Sequence, residues 1–111
     1  MSRWIAAALA ALLLAGCSRS DEDRCNSTGT AYVMSQNFVK KELRSPSEAK
    51  FPSSTAPGVT VQNTSQCVHE IISYVDAPNA FGATSRMGYY AKIEGVLGTN
   101  NWRILELDLY E

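Results

Sequence analysis

Hydrophobic and polar positions change rhythm twice along this chain. From Ile5 to Ala15 every residue is apolar. From Thr28 to Arg44, Ala31, Met34, Ser35, Phe38, Val39 and Leu43 recur near i, i+3, i+4 spacing, while Gln36, Asn37, Lys40, Lys41 and Glu42 fall mostly outside that stripe. This period predicts an amphipathic helix over 28–44. Ser27, Thr28 and Thr30 are candidate N-caps, since a short hydroxyl side chain can accept from a first-turn N–H. Lys40, Lys41 and Arg44 sit where positive charge complements the helix dipole; a basic docking patch is the competing reading of the same residues. Ser45-Pro46-Ser47-Glu48 then predicts a short helical turn through Lys50, with Ser45 as cap and Pro46 at the first helical position. Phe51-Pro52 ends it.

Beyond that point the period becomes two. Val59–Gln62 predicts a short strand and 63–66 a turn. Cys67–Asp76 predicts a second strand whose alternation slips at Ile71-Ile72, as at a bulge or where both faces are buried. Ala77–Gly82 is a connection rich in turn residues. Thr84–Val96 predicts a third strand, Gly98–Asn101 a tight turn, and Trp102–Tyr110 a fourth strand. Strands joined by short turns predict a small antiparallel meander sheet of three to four strands. With the N-terminal amphipathic helix packed on one face, the fold class is α+β in two layers.

The length of 111 residues fits one small domain. A net charge of −1 argues against a nucleic-acid partner held by a broad basic surface. The run from Ile5 to Ala15 is too short to span a bilayer, which takes about 20 apolar residues. With Arg3 before it and small residues after it, residues 1–16 read as a signal peptide. Three cysteines is an odd count, so one of them needs a role other than an intramolecular pair.

Leu14-Ala15-Gly16-Cys17 resembles the bacterial lipobox in residue types, order and position. The resemblance implies that Cys17 becomes the first mature residue and carries lipid, so that one partner is the lipid bilayer itself. Several acyl chains, at about 0.8 kcal/mol per buried CH₂, make such an anchor stable where one chain would not. Ser18, in place of the Asp that retains lipoproteins at the inner membrane, implies an outer-membrane location on the periplasmic face. Residues 17–27 read as a lipidated tether, being almost devoid of apolar side chains, and 28–111 as the domain. The compartment implied is oxidising, so Cys25 and Cys67 are expected to form a disulfide. Closing a loop of that length contributes about 4 kcal/mol in the chain-entropy model. Cys67 and His69 could instead offer two metal ligands, but no second pair follows, and no metal is expected.

Two further stretches carry a second resemblance. Ser35–Pro52, with its Leu43-Arg44-Ser45-Pro46-Ser47-Glu48-Ala49-Lys50-Phe51-Pro52 turn, and Tyr74–Arg86, with Val75-Asp76-Ala77-Pro78-Asn79-Ala80-Phe81-Gly82-Ala83, resemble a family of small uncharacterised bacterial and phage-encoded proteins. That family supplies a fold expectation and no function.

The second stretch also has its own physics. Asp76 and Asn79 can bond backbone N–H groups around a turn, and Gly82 permits a left-handed backbone. Phe81 is expected to fold back on the helix face, and Arg86 to stand opposite Asp76 and pair with it. Alternatively, Asp76, Asn79, Phe81 and Arg86 form an exposed recognition hairpin. No nucleophile–base pair, phosphate loop or paired-carboxylate pattern stands out. His69 is the only histidine and lacks the companion of a zinc-protease helix. No catalytic residue and no cofactor are therefore expected. The expectation is a lipid-anchored envelope lipoprotein acting as a non-catalytic binding module toward an envelope protein. An inhibitor of an envelope enzyme such as a lysozyme, or a phage-exclusion lipoprotein, is the alternative.

Overall fold

The computed structural model describes residues 24–111. The expected signal peptide, the lipidation site Cys17, Ser18 and the tether as far as Asp23 lie outside the described residues. Helix α1 covers Thr28–Lys40, a 3₁₀ turn covers Pro46–Glu48, and four strands follow: β1 Thr60–Ser65, β2 Val68–Pro78, β3 Thr84–Gly95 and β4 Trp102–Tyr110. They form one antiparallel sheet in the order β1-β2-β3-β4. The fold is α+β with a small meander sheet.

Helix α1 begins at Ser27, whose hydroxyl accepts from Thr30 N–H at 3.3 Å. It ends four residues before Arg44. There Glu42 N–H turns back to the Val39 carbonyl (2.9 Å) and Leu43 N–H to the Lys40 carbonyl (3.2 Å), tightening the chain to three-residue steps. The helix buries Ala31, Tyr32, Ser35 and Val39. Met34, Phe38 and Leu43, expected on the apolar stripe, are only partly buried at its flank. Tyr32, off the expected stripe, points inward instead.

The reason is a set of buried hydroxyls between helix and sheet. Tyr32 Oη donates to the Pro52 carbonyl at 2.7 Å. Ser35 Oγ donates to the Tyr32 carbonyl at 2.7 Å. Each hydroxyl has one proton, so the remaining directions follow. Ser73 Oγ donates to Tyr32 Oη (3.0 Å), and Tyr89 Oη donates to Ser35 Oγ (3.0 Å). Around these bonds pack Ala31, Val39, Ile71, Val75, Ala91 and Ile93.

These polar core positions explain why the sequence misleads at β2. The register of β2 on β3 runs unbroken from Val68 opposite Glu94 to Pro78 opposite Thr84, so there is no bulge at Ile71-Ile72. Ile71 is buried and Ile72 is 46% exposed on the other face. The inward series is His69, Ile71, Ser73, Val75 and Ala77. Two of its five members are polar, which breaks the hydropathy alternation without breaking the strand. Irregular register occurs instead at Asn63/Ser65 and at Lys92/Ile93. Strand β1 runs to Ser65, where a turn was expected, and Cys67 closes the hairpin with φ 61°. That left-handed backbone is uncommon for a residue with a side chain. Beyond Ile72, the free side of β2 is met by Lys50, whose N–H and C=O bond the Asp76 C=O and N–H at 2.8 and 2.9 Å.

Residues 24–27 of the expected tether are docked at the opposite end of the sheet. Cys25 and Cys67 stand at disulfide distance, with Cα atoms 4.7 Å apart. Cys67 N–H donates to Asn26 Oδ1 at 2.7 Å, and His69 Nε2 donates to the Cys25 carbonyl at 2.7 Å. That bond holds the proton on Nε2 whenever the ring is neutral. His69 is fully buried against Trp102, with ring centroids 5.6 Å apart. Cys67 is paired with Cys25 and His69 Nε2 with the Cys25 carbonyl, while His69 Nδ1 is buried with no hydrogen-bond partner among the described residues. Gly95 completes this clasp, because a Cβ there would stand 2.7 Å from Cys25 Cβ.

Two outcomes follow from the packing. Gly95→Ala must push the clasp apart, and chemical denaturation should show a loss of about 1–3 kcal/mol. Burial, more than any neighbour, pushes the Tyr89 phenol from 10.0 up to about 12. Its neutral form is favoured in the folded state, so that share of stability is intact below pH 10 and is lost as pH rises through 12. Denaturation midpoints should fall across that window, and the fall should be shallower in Tyr89→Phe.

Candidate functional site

The connection between β2 and β3 is held by side-chain hydrogen bonds at its base and at its turn. Opposite each other at its base stand Asp76 and Arg86. Arg86 donates twice to the carboxylate, Nε to Oδ1 at 2.8 Å and Nη2 to Oδ2 at 2.9 Å. The guanidinium carbon also lies 4.1 Å from the Tyr74 ring centroid. Tyr74, Asp76 and Arg86 share the sheet face turned away from α1, as the two-residue period requires. The hydrogen bond from Arg86, more than its bare charge, holds the Asp76 carboxyl below its usual range, and the same bond raises Arg86.

Above this lock the chain turns through 79–83. Asn79 N–H donates to the Ala83 carbonyl at 2.8 Å, and Gly82 N–H to the Asn79 carbonyl at 3.0 Å. The Asn79 side chain accepts from Phe81 N–H (2.9 Å) and Ala83 N–H (3.2 Å). Gly82 has φ 81°, a conformation that any side chain would strain. All these bonds are local, so the loop is shaped by itself rather than by the rest of the fold.

Phe81 does not fold back on the helix face. It is 94% exposed, the most exposed large apolar residue described. The loop sends its backbone away from the sheet, and Asn79 uses its side chain to hold that course. The four expected residues therefore divide into two levels. Asp76 and Arg86 lock the strands; Asn79 and Phe81 form the tip. Tyr74 completes the lock and was missed, although its place two residues before Asp76 puts it on the same face.

The tip also has a direction. Strand β2 has 11 residues, or roughly 35 Å of rise. It carries the tip at one end and the Cys25–Cys67 clasp at the other. The chain thus enters the described fold at the end remote from Phe81.

Arg86→Ala should lower the melting temperature only slightly, since the pair is largely solvent-exposed and the ring contact is a single one. Arg86→Lys should recover less than half, because an ammonium cannot hold both carboxylate oxygens. Asp76 contributes stability above its ordinary pKa of 3.8 and loses it as pH falls through the lowered folded value. The difference between wild type and Arg86→Ala in thermal melts should therefore shrink in acid. No family model matches this chain, and neither the search of curated proteins nor that of solved structures finds a relative.

Proposed function

We propose that this chain is a bacterial envelope lipoprotein, anchored through acylated Cys17 and acting as a non-catalytic interaction module. In this reading the anchor places it at the outer membrane, facing the periplasm, and the β2–β3 tip meets an envelope protein. The amphipathic α1 serves as the apolar cover that keeps the sheet rigid behind the tip.

One observation carries the reading. An almost fully exposed phenylalanine stands on a loop held by its own hydrogen bonds, at the far end of the sheet from Cys25. Cys25 lies eight residues after Cys17 in sequence, so in this reading the anchored end of the fold is the end remote from the tip. An exposed aromatic on an ordered loop loses little conformational entropy when it enters a partner's pocket. Aromatic side chains of this kind are enriched at the cores of protein interfaces. A projecting, pre-shaped loop is also how an inhibitor enters an enzyme cleft, which keeps the lysozyme-inhibitor reading as the second one.

The test uses the full chain in its own membrane with a photo-crosslinking residue at position 81 or, as control, at 62. Crosslinks to one protein from 81 and none from 62 are expected. Phe81→Ser should abolish capture of that partner with an unchanged melting temperature. A muramidase as the partner, inhibited in a manner that Phe81→Ser relieves, would select the second reading. Equal crosslinking from both positions would defeat the tip, and acyl labelling that survives Cys17→Ser would defeat the anchor.

A further inference from the structure

The two edges of the sheet differ in chemistry. Strand β1 is Thr60-Val61-Gln62-Asn63-Thr64-Ser65 and offers a polar edge. Strand β4 is Trp102-Arg103-Ile104-Leu105-Glu106-Leu107-Asp108-Leu109-Tyr110 and is apolar at every second position after its irregularity. No strand lies beyond it among the described residues. Ile104 is 38% and Leu105 48% exposed. The break in register pairs Ile93 with Ile104 and Lys92 with Glu106, so Leu105 has no opposite residue. Between this edge and α1 runs a groove of about 470 Å³, lined by Phe38 of the helix, by Lys41 and Glu42 just past its end, and by β4 from Ile104 to Leu107 and at Leu109. The helix buries β3 completely at Tyr89, Ala91 and Ile93. It leaves the equivalent residues of β4, Leu107 and Leu109, half-covered. The core is unfinished on this side, and an edge of free N–H and C=O groups stands beside the gap.

Charge selects what can fill it. On the face turned away from α1, Glu106 stands opposite Lys92, and Asp108 opposite Tyr90. The Tyr90 hydroxyl donates to Glu70 at 2.6 Å. Glu70 and Glu106 thus flank Lys92 in register with Asp108 beside them, while Arg103 on the same strand is paired with Glu94. For a second copy of this chain, antiparallel pairing about Asp108 opposes that residue to itself and pairing about Leu107 opposes Glu106 to Asp108, and like charges placed directly opposite disfavour these two registers.

We infer that β4 is a strand-addition site for an extended segment of another protein that alternates apolar with basic side chains. Its backbone extends the sheet, its apolar residues enter the groove beside α1, and its Lys or Arg residues lie along Glu106 and Asp108 on the open face. Main-chain bonds supply the affinity in this mode, and alternate side chains the specificity. The site is separate from the Phe81 tip and does not depend on it.

The probes are capped ten-residue peptides alternating Val with Lys, or Val with Glu, titrated against the full-length chain in detergent. The Val–Lys peptide should bind at least tenfold more tightly and slow amide exchange between Glu106 and Tyr110. Glu106→Lys with Asp108→Lys, both exposed, should reverse the preference. Equal binding of the two peptides, protection at 79–83 instead of β4, or no binding of the Val–Lys peptide would each overturn the proposal. So would a dimer in sedimentation that Asp108→Lys tightens, since that makes a second copy the occupant.

Discussion

Helix and sheet stay together only if four buried hydroxyl-bearing side chains are mutually satisfied. Ser73 donates to Tyr32, which donates to the Pro52 carbonyl. Tyr89 donates to Ser35, which donates to the Tyr32 carbonyl. An unsatisfied buried hydroxyl costs about 1–3 kcal/mol, so any slide of the helix along the sheet is penalised at several bonds at once. Apolar contacts among Ala31, Val39, Ile71, Val75, Ala91 and Ile93 supply attraction but little direction. The hydroxyls set the rotation of α1, and that rotation turns Phe38 and Lys41 toward the edge of the sheet rather than over its centre. The groove beside β4 is a consequence of it.

The clasp at the other end works by the same logic with a covalent bond added. Cys25, Asn26 and His69 tie the entering chain to the β1–β2 turn by a disulfide and two hydrogen bonds. Strand β2 runs from this clasp at one end to the 79–83 tip at the other.

The tip and the β4 edge present different recognition chemistry. The tip offers one aromatic ring on a loop closed by local bonds. The edge offers main-chain groups, an apolar groove and carboxylates along nine residues. The first suits a pocket in a folded partner; the second suits an extended chain.

Much of this was legible from residue order. Two-residue alternation placed β3 and β4 nearly to their ends, turn residues placed a connection at 77–82 where the structure has it at 79–83, and the pairing of Arg86 with Asp76 followed from their distance from that turn. These depend on local backbone preferences, which a few neighbouring residues settle. What escaped was everything decided by a partner distant in sequence. Ser73 and His69 look like surface residues until Tyr32 and the Cys25 carbonyl are brought to them. Phe81 looks like core, and is exposed because its loop satisfies its own backbone and leaves no reason to fold back. The apolar residues of β4 look buried, yet the helix, turned by its hydroxyls, covers Leu107 and Leu109 only in part and leaves Ile104 and Leu105 exposed. Sequence determined the elements, the turn chemistry and the Cys25–Cys67 pair. Tertiary structure decided which side chains count as interior, because burial depends on what the chain brings together and not on hydropathy alone.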